Sequence, residues 1–145
     1  MTVQEVKAAL NAVHTAFREY ELSQEKMLRF RSALTGAAQV MSDMPQQNTH
    51  SENSRERGLL KLLEYSAETD RKFDYYLTVR GDAEQMIDRL DDRYEREVLT
   101  RKYTMFQKWE EISEKMNISL RHIYRLHGEA LVKISENCKD VTKCH

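Results

Sequence analysis

Proline occurs once and glycine four times in the 145 residues. A chain with so few breakers has the profile of an elongated all-α protein with a modest core. No apolar run approaches the roughly 20 residues a membrane helix needs. The opening Met-Thr-Val-Gln-Glu has neither a basic n-region nor an apolar core, so a cytoplasmic protein without a membrane partner is expected. Cysteine occurs twice, at Cys138 and Cys144 in a polar C-terminal stretch. Both should stay reduced in the cytosol, and with His145 they make only a weak metal set on an unstructured tail. Gly-rich phosphate loops, metal-spaced His/Cys sets and nucleophile arrangements are missing. Catalysis, cofactors and metals are therefore not expected.

Charge of one sign is also lacking. The net charge is −1, which argues against a general polyanion binder. The charge is unevenly spread, however. Residues 99–134 hold seven Lys or Arg against four Glu, plus two His, so the remainder is net acidic. A local basic footprint is what a DNA-binding module of modest size requires.

Two long helical segments come first. Over residues 3–34, Val3, Val6, Leu10, Val13, Phe17 and Tyr20 recur at spacings of three and four. Met27 and Leu34 continue the register, and Gln24 and Arg31 interrupt it. This is a coiled-coil-like seam, about 48 Å long at 1.5 Å per residue. Residues 36–58 hold the proline and are rich in Gln, Asn and Ser, which predicts a flexible linker. A second helix starts near Ser54 to Gly58 and keeps the spacing through Leu59, Leu62, Ser66, Thr69, Phe73, Tyr76, Ala83, Ile87 and Leu90. Gly81-Asp82 is a candidate break. The segments match in length, so they can pair as an antiparallel hairpin, or between two chains. Glu64 and Glu68 with Arg71 and Lys72 read as a solvated face.

A turn at 91–93 and a short helix at 95–103 follow, with Val98, Leu99 and Tyr103 facing inward. The organisation expected is a long helical region at 1–92, a DNA-binding domain at 93–136 and a tail at 137–145.

Residues 109–134 have the spacing of a helix-turn-helix. Ile112 and Met116 sit four apart on the first helix, and Ser113 is the small residue beside Ile112. Asn117 is the turn residue, since asparagine tolerates positive φ best among non-glycines. Ile118 plugs the turn and Ser119 caps the second helix. Ile123, Leu126, Ala130 and Ile134 form its buried stripe. Opposite that stripe lie Arg121, Arg125 and Gly128, flanked by His122 and Tyr124. With Ser119 these are the candidate DNA-binding residues. Arginine carries a rigid fork of donors that suits guanine edges and phosphates. Gly128 suggests close approach of another backbone. Trp109 and His127 read as packed core residues.

Residues 87–134 resemble region 4 of bacterial sigma factors, and most closely the sigma-like phage late-gene activators of the ArpU/RinA type. The resemblance rests on Leu99, Tyr103, Trp109, Glu110, Glu111, Ile112, Ser119, Tyr124, Arg125, Leu126, His127, Ala130 and Leu131. It implies a double-stranded DNA binder that switches on phage or prophage late genes with RNA polymerase. A single recognition helix gives a small interface, so a homodimer or higher oligomer through the long helices is expected. The chain departs from the family before Trp109. Phe106, Gln107 and Lys108 stand where a glycine turn and a Ser or Thr cap are usual. A differently shaped loop is expected there, with the helix starting as early as Thr104 and Phe106 packing inward. Two other readings use the same helices. One is a protein–protein adaptor that grips RNA polymerase, the other a phage DNA-packaging small subunit.

Overall fold

The structure is a computed structural model. It describes the backbone of residues 1–42 and 51–143, and the side chains of 1–36 and 53–139. The protein is all-α, and every regular element among the described residues is helical. The helices are α1 (Val3–Ser42), α2 (Ser51–Asp88), α3 (Arg93–Leu99), α4 (Trp109–Met116) and α5 (Leu120–Lys143), with a π-helical turn at Thr100–Thr104 after α3. No described helix is long and apolar enough to cross a membrane.

Two compact units divide the chain, and the division runs through the long helices. One unit joins Met1–Ala16 to Tyr76–His145, and the other is Phe17–Tyr75. The boundary expected at 92/93 follows the pattern of elements instead. The first turns of α1 carry the most apolar part of its seam, and they serve the core of the C-terminal unit.

The unit of 17–75 is an antiparallel pair of helices. The Ser23 and Thr69 hydroxyls hydrogen-bond at 2.9 Å. Tyr20 meets Phe73 at 5.0 Å and Phe30 meets Tyr65 edge-on at 5.2 Å. Lys72 pairs with Glu19 at 3.4 Å. These partners run in opposite order along the two helices, so the seam closes within one chain. The seam residue is Ser23 and not Gln24, which is exposed. A drift of one position is expected when a 3.6-residue helix is read with a 3.5-residue repeat. At the far end a Cβ on Gly58 would lie 2.6 Å from Cδ2 of Leu34, so the leucine sits against bare backbone.

Both helices extend into the segment expected to be a linker at 36–58. Helix α1 continues to Ser42 and α2 begins at Ser51. Residues 43–50 of that segment lie outside the described residues. Gly81-Asp82 is no break, because α2 runs through to Asp88. One glycine costs about 1 kcal/mol against alanine. Buried Ala83 and Ile87 on the next turns offset that cost.

The other unit holds the apolar core. Val6, Leu10, Val13, Ile87, Leu90, Leu99 and Ile134 are all fully buried, each contributing about 1.5–3 kcal/mol on transfer from water. Asp92 caps α3 by accepting from the Tyr94 N–H at 2.8 Å. Arg96 donates to the carbonyls of Leu90 and Asp91 and so fastens the α2–α3 turn. Glu95 is 1% exposed, and its Oε1 accepts from Lys133 Nζ at 2.7 Å across α3 and α5. The expected tail at 137–145 is helical as far as Lys143. Nothing between Gly128 and the end of α5 breaks a helix, and buried Ser135 keeps it docked.

Candidate nucleic-acid interface

The site is built by the turn between α4 and α5. Asn117 adopts φ 56°, ψ 44°, the left-handed conformation. The chain closes there with Ile118 N–H donating to the Ser113 carbonyl at 3.2 Å and Asn117 N–H to that of Glu114 at 3.3 Å. This is the paired closing bond of a Schellman end. The Ser113 hydroxyl donates to the Ile118 carbonyl. Ser119 then caps α5, its hydroxyl accepting from the His122 N–H at 3.3 Å. Beneath the turn Val98, Ile112, Ile123 and Leu126 form a buried cluster, with Trp109, Met116 and Ile118 packed around it.

The loop before α4 keeps a left-handed residue, but it is Phe106, at φ 57°. The expected earlier helix start at Thr104 does not occur. The π-helical turn carries the chain past Thr104, and α4 starts at Trp109 with no side-chain cap from Lys108. Gln107 N–H donates to the Arg101 carbonyl at 3.0 Å, while the Arg101 guanidinium holds Glu97 and the Gln107 side chain. Left-handed backbone costs a non-glycine residue about 1–2 kcal/mol. The Phe106 ring offsets this by packing on His14 of α1 at 4.7 Å. His14 carried no sequence signal. It lies 92 positions from Phe106 and reaches it only because α1 begins inside this unit.

The outward face of α5 holds the candidate residues. Ser119, Arg121, Tyr124, Arg125 and Gly128 are exposed, and His122 is half-buried. The Arg121 guanidinium has no partner among the described residues. Arg125 lies 3.0 Å from Nε2 of His122 and 3.9 Å from Glu129. Tyr124 stands edge-on against Trp109 at 5.3 Å. A Cβ on Gly128 would meet nothing within 4 Å. The expected close backbone at Gly128 is therefore not supplied by the described residues, and the glycine leaves a bare strip on the open face.

Trp109 joins the face to the core. Its ring meets His127 at 4.8 Å, and Lys102 Nζ sits 4.6 Å above it. Lys102 was not among the candidates read from the sequence, although it is one of the seven cations of the basic stretch. His127 Nε2 lies 2.6 Å from the Tyr103 hydroxyl. Burial holds the His127 pKa down to about 4, helped by the charges of Lys7 and Lys102. Burial likewise pushes the Tyr103 phenol up to about 12. Both groups are therefore neutral near pH 7. His127 accepts from the phenol and is the packed, hydrogen-bonded residue expected.

No family model, curated protein or solved structure matches the chain. What the site can do rests on its own geometry. Among the described residues no group of three His, Cys, Asp or Glu could hold a metal ion. The arrangement offers exposed guanidinium groups, a hydroxyl, an imidazole and a phenol on one helix, held by a rigid base. Such groups donate to phosphates and base edges.

Proposed function

We propose that the protein binds double-stranded DNA through α5, as the second helix of a helix-turn-helix, and regulates transcription. The observation that carries this reading is the position of Arg121 and Arg125. Both project to solvent from a helix whose inner residues Ile123 and Ala130 are fully buried. Ser119 and Arg121 lie in its first turn, the part of a recognition helix that meets base edges in the major groove. Lys102 and Lys115 add cations on the same unit for phosphate contacts, which give affinity and salt dependence. The resemblance to sigma-like phage activators supports late-gene activation in contact with RNA polymerase. Pairing of two chains through the long, coiled-coil-like helices would offer two such faces to a two-fold site.

A different observation favours the protein–protein adaptor. Leu120, Tyr124 and Val132 are exposed apolar residues on α5, and with Gly128 they recur every fourth position. That stripe would suit a partner helix as well as thymine methyl groups. Selection of bound duplexes from a random-sequence pool, followed by gel shift, separates the two. Enrichment of a defined site supports the regulator. Recovery of no duplex above background would leave the adaptor.

A further inference from the structure

The helix pair between Phe17 and Tyr75 has no apolar core of its own. Its only buried residues among those described are Ser23 and Thr69, at 8% and 6% exposed. Leu59 and Leu63, by contrast, are 59% and 65% exposed. Helices of this kind draw most of their stability from burying an apolar face, and here that face on α2 is wet.

The 3.6-residue period sets Arg55, Leu59, Leu62, Leu63, Ser66 and Asp70 along one side of α2. Their spacing is four, three, one, three, four, which reads the same in both directions. Only the charge inverts, with a cation at one end and an anion at the other. Neither Arg55 nor Asp70 has an ion-pair partner among the described residues. Arg55, Leu59 and Leu62 border an open groove of about 430 Å³, completed by Arg31, Leu34 and Thr35 of α1.

We propose that a second copy of this chain packs on this stripe, antiparallel, about a two-fold axis between Leu62 and Leu63. Such an isologous contact presents the same patch from both copies. Arg55 then faces Asp70 of the second copy, and Asp70 faces its Arg55. Leu62 meets Leu63 of the second copy on either side of the axis, and Leu59 covers Ser66. The rest of the unit agrees with this direction. Residues 26–36 and 53–61 hold six cations and one anion, whereas 17–25 and 64–75 hold seven anions and three cations. An inverted copy sets the basic end against the acidic end twice. A partner of one charge sign would match one end and be repelled by the other. The inference takes up the self-association in the reading above. DNA contact plays no part in it.

Sedimentation equilibrium of the full chain tests it, with circular dichroism on each variant to confirm helix content. The native chain is expected to be a dimer that dissociates more readily at high salt, because exposed pairs are screened. Leu63→Glu should give monomers. Arg55→Glu and Asp70→Arg should each weaken the dimer roughly tenfold, since each removes two symmetry-related pairs. The double variant Arg55→Glu/Asp70→Arg should recover native affinity, which a merely structural role for either residue would not produce. A monomeric native chain, or a double variant weaker than both single ones, would overturn the proposal. A DNA-binding defect with an intact dimer bears on the DNA reading alone.

Discussion

The Tyr103 hydroxyl lies 2.6 Å from Nε2 of His127, joining the π-helical turn after α3 to the helix that carries the arginines. The bond requires a neutral imidazole. The His127 pKa, held to about 4 against an ordinary 6.5, makes the folded protein bind fewer protons than the unfolded chain between those values. Stability is then fully present above about pH 6.5 and is lost as pH falls through 4. Thermal melts from pH 7 to 4 should show this fall, and His127→Gln should flatten it. A native melting curve independent of pH over that window would contradict the assignment.

The alkaline limb has the opposite sign. The Tyr103 phenol, pushed up to about 12 from 10, contributes stability that is lost as pH rises from 10 through 12. Tyr103→Phe should remove this loss while leaving His127 with an unpaired nitrogen, at a cost of about 1–3 kcal/mol near pH 7. Spectrophotometric titration of the phenol checks it.

The two left-handed residues should respond differently to glycine. Asn117→Gly relieves backbone strain and removes no side chain that packs, so denaturant melts should show equal or slightly higher stability. Asn117→Val should lose about 1–2 kcal/mol, because a β-branched side chain is forced into left-handed backbone. Phe106→Gly relieves the same strain but loses the ring on His14, so its net effect should stay within about 1 kcal/mol.

Glu95 is buried, and its Oε2 has no hydrogen-bond partner among the described residues. Lys133→Met would leave the buried carboxylate without the cation it pairs with among the described residues and should lower stability. Adding Glu95→Gln to that variant should recover part of the loss. Urea denaturation of the three proteins measures both.

Much of this architecture was legible. The spacing of Ile112, Met116, Ile123, Leu126, Ala130 and Ile134 is local and helical, and Asn117 and Ser119 carry their own turn and cap chemistry. Long-range placement was not legible. Val6, Leu10 and Val13 read equally well as a coiled-coil seam or as core for another unit, because periodicity states which face is apolar and not what covers it. The one-position difference between Ser23 and Gln24 arises the same way. At Phe106 local propensity argued against a left-handed turn, and packing on a distant histidine overrode it. Function was less legible than fold, since an outward arginine looks the same whether it meets phosphate, a carboxylate or water.

Gly128 separates stability from binding. A Cβ there meets nothing among the described residues, so Gly128→Ala should stabilise α5 by up to about 1 kcal/mol. If DNA approaches that bare strip, the same change should weaken binding while the melting temperature rises. A stabilised variant with unchanged affinity would show that no ligand comes close to Gly128.

The most direct measurement is the dissociation constant of the native chain and of Arg121→Ala for a duplex selected from a random pool, by fluorescence anisotropy at two salt concentrations. Loss of about 1–3 kcal/mol of binding on the selected site is expected for a guanidinium that contacts a guanine edge. Equal affinity of the two proteins for that duplex, at both salt concentrations, would contradict a DNA-reading role for the outward face of α5.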